Sequence, residues 1–224
     1  MSRSPNISVS EIHDYGINVH DREIFLNKHF ESDSDVDTDG KMAATFLRNL
    51  RILESKSNAP IIVHQINSGG LDESGFTIYD AIKDSPCFIT VIAHGVCSSM
   101  GSIIILAADL RLATKNCYFM IHEGYINTGD ITQRQKQSMD DFNKKVLEKM
   151  YTIYSEKCVN AKYFQSNNVK TKEAVTNFIK KKLEKLEDWY LFPEEAKAYG
   201  FIDGIIGDEE YPTIEAVKNN GQHN

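Results

Sequence analysis

The chain has 224 residues, 41% hydrophobic and 25% charged, a balance that fits a globular protein with a sizeable core and excludes a disordered one. A formal net charge of −7 argues against a nucleic-acid surface, and no run approaches the about 18 apolar residues of a membrane span. Cys87, Cys97, Cys117 and Cys158 show no Cys-x-x-Cys spacing, so buried free thiols in a reducing cytoplasm are expected, with no zinc or redox role.

Residues 1–20 are polar and lack the apolar stretch of a signal peptide; they read as a flexible N-terminal segment. No Pro/Gly/Ser-rich linker splits the rest of the chain, so residues 21–207 read as one domain and 208–224 as a polar C-terminal tail. Glu23-Ile24-Phe25-Leu26 is a short strand. Residues 31–40 carry Glu31, Asp33, Asp35, Asp37 and Asp39 and read as a solvated loop. Over residues 41–55, Ala44, Phe46, Leu47, Leu50 and Leu53 recur at helical spacing.

Pro60 precedes a buried-strand pattern over residues 61–66. Residues 75–84 are helix-like, residues 88–93 form a second buried strand, a buried helix starts at Ser99 and runs to Ala108, and residues 117–121 form a third strand. This alternation predicts right-handed crossovers and a mostly parallel sheet. Residues 130–157 read as one long helix, with Asp130 and Gln133 as a capping box and Met139, Phe142, Val146, Met150 and Ile153 as one apolar stripe. That stripe suits core packing or a partner's matching helix. Residues 172–186 form a further helix whose Lys180, Lys181, Lys182 and Lys185 face solvent. Pro193 and Gly200 fit the first turn and the C-terminal cap of the next helix, and residues 201–206 form a last strand.

Two segments carry chemistry. Gly95-Val96-Cys97-Ser98-Ser99-Met100-Gly101 places serines at the head of an apolar stretch, and Met120-Ile121-His122-Glu123 offers a histidine right after a short apolar run. A serine hydroxyl is a weak nucleophile that needs a base, so such a pair is a candidate for acyl transfer. By itself a serine there is an ordinary helix cap, and Ser98 competes with Ser99. His94 precedes the Gly95 turn, His64 sits inside a strand, and His13, His20, His29 and His223 lie outside the motifs. Upstream, Ile66-Asn67-Ser68-Gly69-Gly70 is a glycine turn whose backbone N–H groups suit an oxyanion.

Together with Glu194-Glu195-Ala196-Lys197-Ala198-Tyr199-Gly200-Phe201-Ile202-Asp203, these motifs resemble the proteolytic subunit of the Clp protease (ClpP) family over roughly residues 21–206. The resemblance implies an α/β crotonase-like fold: a spiral of β-β-α units, a mostly parallel sheet and a protruding handle helix at residues 130–157. It implies Ser99 as nucleophile, because the family's Ser-Met-Gly places it before Met100, and His122 as general base. Asp188 is the third triad member, with Glu187 its nearest rival, and the backbone N–H groups of Gly70 and Met100 form the oxyanion hole. No cofactor is implied. The implied substrates are peptides or unfolded proteins, cut inside a homo-oligomeric chamber in the cytoplasm. The chamber is a heptameric ring or double ring whose rings mesh through the handle, and the implied partner is an AAA+ ATPase unfoldase.

The chain also departs from the family pattern. Its glycine turn lacks the usual proline, its stretch between Ser99 and His122 is shorter, Phe192 replaces a Ser/Thr cap, and its N-terminal segment does not match the axial-pore loop. The rival readings are a crotonase-type acyl-CoA enzyme, a non-catalytic scaffold subunit and a viral capsid-maturation protease of the same superfamily.

Overall fold

Runs of β-branched residues that alternate with helical patterns form a parallel sheet with helices packed on it. The computed structural model describes residues 9–27, 37–125, 129 and 131–220. In chain order the elements are α1 (Val9–Tyr15), β1 (Ile17–Asn18), β2 (Glu23–Asn27), α2 (Gly40–Glu54), β3 (Ile61–Asn67), α3 (Asp72–Lys83), β4 (Ile89–Ser98) and α4 (Met100–Ile104), which tightens into a 3-10 turn over Ile105–Ala107. Then come β5 (Leu110–Thr114), β6 (Tyr118–Ile121), α5 (Gln133–Cys158), α6 (Lys162–Ser166), α7 (Lys172–Leu186), β7 (Trp189–Leu191), α8 (Pro193–Tyr199), β8 (Gly204–Ile206) and α9 (Ile214–Asn220).

The sheet order is β1-β2-β3-β4-β5-β8, with β6 beside β4 and β7 beside β6. Among the described residues only the β1–β2 and β6–β7 pairs are antiparallel. Alternation along each strand sorts the side chains. Ile61, Val63, Ile89 and Val91 join the main core under the helices, while Ile62, Ile92 and Leu112 face the other way and are covered by Val217 of α9. All four cysteines are buried and free.

Several elements differ from the sequence reading. A helix and a strand occupy part of residues 9–18, and α9 lies within the stretch read as a polar tail. β5, β7 and α6 stand where no element was expected, and the last strand is confined to β8. The long helix starts at Gln133, capped by Thr132: Gln135 N donates to Thr132 Oγ1 (3.3 Å), and Thr132 N donates to Gln135 Oε1 (2.8 Å). Thr132 holds this cap because it can offer its hydroxyl to the third helical residue; Asp130 lies outside the described residues. The expected stripe on α5 splits. Met150 and Ile153 enter the core, whereas Phe142 stays 63% exposed. Of the acidic loop only Asp37 and Asp39 are described, and Asp39 is the N-cap of α2, accepting from Met42 N at 2.8 Å.

The segment after α8 is fastened by a charged clamp. Arg111 of β5 donates from Nε to Asp203 Oδ2 (2.9 Å), pairs through Nη2 with Asp203 Oδ1, and donates from Nη1 to Gly200 O (2.8 Å). The Arg111 side chain is only 12% exposed, so removing its partner leaves a desolvated cation. Asp203→Ala is therefore expected to destabilise the fold by about 3 kcal/mol, the low end for a broken buried pair because Asp203 is itself part-exposed. Urea denaturation of the variant against the parent checks this.

Candidate active site

Strand pairing alone gathers the three side chains. The first half of β4 pairs with β5 (Thr90–Ala93 against Leu110–Ala113), and its last residues pair with β6, with Ser98 opposite Met120. Parallel strands that end together put the residues just beyond them, Ser99 and His122, side by side. The antiparallel β6–β7 pair sets Ile121 opposite Trp189, so Asp188, just before Trp189, lies next to His122. The site is thus at the carboxyl end of a parallel pair, where open α/β sheets place their ligands.

Ser99 has φ 52° and ψ −124°, a conformation rare for a residue with a side chain and costing about 1–3 kcal/mol. It is held by Ser99 N donating to Met120 O (2.7 Å). Behind it, Tyr154 OH and Ser102 Oγ are 2.7 Å apart, and Ser102 Oγ donates to Ser99 O (2.7 Å). These bonds tie α5 to the start of α4. His122 Nε2 lies 2.8 Å from Ser99 Oγ. His122 Nδ1 lies 3.3 Å from Asp188 Oδ1, an oxygen that is buried and has no aligned hydrogen bond among the described residues.

Of the two candidate pairs left open by the sequence, the geometry brings together Ser99 and Asp188. Ser98 Oγ is buried and has no hydrogen-bond partner among the described residues. Glu187 is the exposed C-cap of α7 at φ 60°.

The glycine turn is built to sit against the serine. Asn67 Oδ1 accepts from Thr38 Oγ1 (2.9 Å) and Gly69 N (2.8 Å). Thr38 N donates to Gly69 O and Leu71 N to Thr38 O, both at 2.8 Å. Asp37 Oδ2 accepts from Ser68 N (2.7 Å) and Ser68 Oγ (2.6 Å). Asp37 therefore pins the turn, and is not a freely solvated loop residue.

These bonds leave the Gly70 N–H without an acceptor among the described residues. The Met100 N–H, at the first position of α4, has none within its helix either. Gly70 has φ 150° and Gly69 φ 108°, and a Cβ on Gly69 would lie 2.5 Å from Ser99 Cβ and 2.9 Å from its Oγ. Gly69→Ala is therefore expected to push Ser99 out of line and lower turnover on the order of a hundredfold, the cost of about 1 Å of misplacement, with KM little changed. Steady-state kinetics on a folded, assembled variant checks this.

The surroundings tune the site. Burial, followed by the charge of Cys117, holds the Cys97 thiol well above its usual range, and burial pushes Cys117 up to about 12. Neither thiol is a ready nucleophile at neutral pH. Burial, then Glu73, raises the Asp72 carboxyl, while His122 pulls it down; Asp72 therefore shares the field of the histidine. Tyr151 OH donates to Glu123 Oε1, anchoring the residue after His122 to α5. Tyr125, 77% exposed, stands edge-on to the His122 ring at 5.3 Å.

The sequence reading missed Asp37, Thr38, Asn67, Tyr125 and Tyr151. Only Asp37 and Asn67 had a local signal, since they lie in motifs already singled out.

Comparison with known proteins shows the family of the chain. Residues 10–209 match the Clp protease family. The ATP-dependent Clp protease proteolytic subunit 1 of Chlamydia pneumoniae is 31% identical over 169 residues, covering 74% of this chain and 81% of the relative. The ATP-dependent Clp protease proteolytic subunit of Deinococcus radiodurans is 28% identical over 195 residues, covering 83% and 80%. Among solved structures, a point mutant of ClpP1 from Listeria monocytogenes superposes with a TM-score of 0.66 at 23% identity, covering 87% of this chain and 96% of that one.

Proposed function

The chain belongs to the Clp protease family, and from that premise we propose that it cleaves peptide bonds with Ser99, His122 and Asp188. As a family member it is a serine-type peptidase, and the family works on peptide or protein substrates within an oligomeric chamber. The observation that carries the residue assignment is the 2.8 Å approach of Ser99 Oγ to His122 Nε2, with the carboxylate of Asp188 behind the other ring nitrogen.

In this reading Ser99 Oγ attacks the scissile carbonyl carbon as His122 Nε2 takes its proton. The oxyanion that forms receives the free N–H groups of Gly70 and Met100. Asp188 fixes the proton on His122 Nδ1 and stabilises the imidazolium. His122 then gives its proton to the leaving amine. A water, deprotonated in turn by His122, attacks the acyl-enzyme and frees Ser99 Oγ.

We further propose a heptameric ring or double heptamer joined through α5, whose N-terminal half carries the exposed Phe142. The ATP-dependent naming of the relatives supports an AAA+ unfoldase as the partner that feeds the chamber. Four buried free thiols fit a reducing cytoplasm. Among the described residues no helix is long and apolar enough to cross a membrane.

The test pairs fluorogenic peptide and unfolded-casein hydrolysis with particle mass. Cleavage by a ring of 25.4 kDa protomers is expected. A folded protein that cleaves neither substrate but binds acyl-CoA tightly would move the assignment to crotonase-type chemistry.

A further inference from the structure

A second polar cluster lies on the sheet face turned away from the main core, apart from the Ser99 site. Glu23 of β2, His64 of β3 and His94 of β4 form a line across three adjacent parallel strands. His64 Nε2 is 3.3 Å from Glu23 Oε1, and His64 Nδ1 is 3.1 Å from His94 Nε2. The arrangement is held from several sides. Phe25 stacks on the His64 ring at 5.0 Å and 17°. Asn18 Nδ2 donates to Glu23 Oε2 (3.1 Å), and Lys218 Nζ of α9 lies 2.5 Å from Glu23 Oε1. The peptide-cleavage reading uses none of these groups.

The tautomer follows from the hydrogen bonds. With the Nε2 proton of His64 directed at Glu23, its Nδ1 presents a lone pair. The Nε2 of His94 faces that lone pair at 3.1 Å. Two nitrogens bound to one tetrahedral dication by bonds of about 2.0–2.1 Å stand about 3.3 Å apart. The observed spacing is thus a small opening short of a chelating pair. The carboxylate on the far side of His64 is the outer partner that metal-bound imidazoles regularly have.

His94 is only half-buried, and Gly95, the next residue, is exposed, so solvent reaches this end of the line. Among the described residues no group of three or more His, Cys, Asp or Glu side chains converges on one point. An ion here would therefore keep open positions for water.

We infer that His64 Nδ1 and His94 Nε2 form a two-histidine site for a borderline transition-metal dication such as Zn2+ or Cu2+, with Glu23 orienting His64. Imidazole nitrogens suit these ions. The ion takes the place of the proton on His94 Nε2, which His94 then carries on Nδ1, so both imidazoles bind as neutral ligands with no net proton released. A bound ion cross-links β3 to β4 and, through Glu23 and Lys218, firms the seat of α9.

The test is equilibrium dialysis of the assembled protein against Zn2+, in a His122→Ala background so that the site imidazole does not contribute. About one equivalent is expected. It should be lost in His94→Gln and weakened about 10–100-fold in Glu23→Gln, the usual cost of losing an outer-shell partner. Should His94→Gln lose its fold, the electron paramagnetic resonance of Cu2+ added to the His122→Ala protein decides, with coupling to two imidazole nitrogens expected. No Zn2+ bound, binding unchanged in folded His94→Gln, or a Cu2+ spectrum without two nitrogen couplings would each overturn the assignment.

Discussion

Ser99→Ala is expected to lower the rate of peptide cleavage by about 10⁶, with folding and assembly unaltered, because triad members act as a unit. The substitution removes one oxygen from a part-exposed position and opens no core cavity. Alanine at φ 52° carries the same backbone strain as serine, so stability should stay within about 0.5 kcal/mol. What survives is the turnover that the free N–H groups of Gly70 and Met100 give to an attacking water. Peptide hydrolysis at substrate saturation, together with a denaturation curve, separates the lost chemistry from a lost fold.

Asp188→Asn is expected to cost about 10⁴ in kcat while leaving substrate binding intact. The carboxylate lies 3.3 Å from His122 Nδ1 and is matched to a proton there. An amide can turn its NH2 toward that nitrogen and stabilise the tautomer that carries the proton on Nε2. His122 then has no lone pair for the Ser99 hydroxyl. Glu187→Gln, at an exposed C-cap, is expected to leave kcat unchanged. Steady-state kinetics on the two variants distinguishes the neighbouring carboxylates, and equal losses in both would contradict the placement of Asp188.

The strongly periodic elements were legible in the sequence. Residues 172–186 coincide with α7, and the apolar runs after Pro60 and Phe88 became β3 and the first half of β4, which continues through the expected turn at Gly95 to Ser98. Their signals are local: helical spacing, β-branched runs, and punctuation by proline and glycine. β5 and β7 were missed because each is short and gains its strand identity from a neighbour's edge, with β5 beside β4 and β7 beside β6. α9 was hidden by its composition. Among its described side chains Ile214 and Val217 are the ones that join the apolar cluster on the sheet, too few to mark a polar tail as helical.

Motif order pointed to the candidate site, whereas its geometry was not readable from the chain. Nothing local shows that β4 exchanges β5 for β6 near Gly95, the step that sets Ser99 beside His122. The positive φ of Ser99 and the two hydrogen bonds that Ser68 donates to Asp37 likewise depend on segments distant in the chain. Asp37 looked like one acidic loop residue among five because its partner stands 31 positions later. Between Glu187 and Asp188 the backbone sets Asp188 next to His122: Glu187 ends α7, and Asp188 leads into β7 opposite β6, the strand that precedes His122.

The central claim is that Ser99 is a nucleophile activated by His122. It is tested most directly by reacting the assembled protein with a fluorophosphonate probe at neutral pH and mapping the adduct by peptide mass. A single modified peptide is predicted, with the adduct on Ser99, absent from Ser99→Ala and from His122→Ala. A folded, assembled protein that stays unlabelled, carries the adduct on Ser98, or labels equally well without His122 would contradict it.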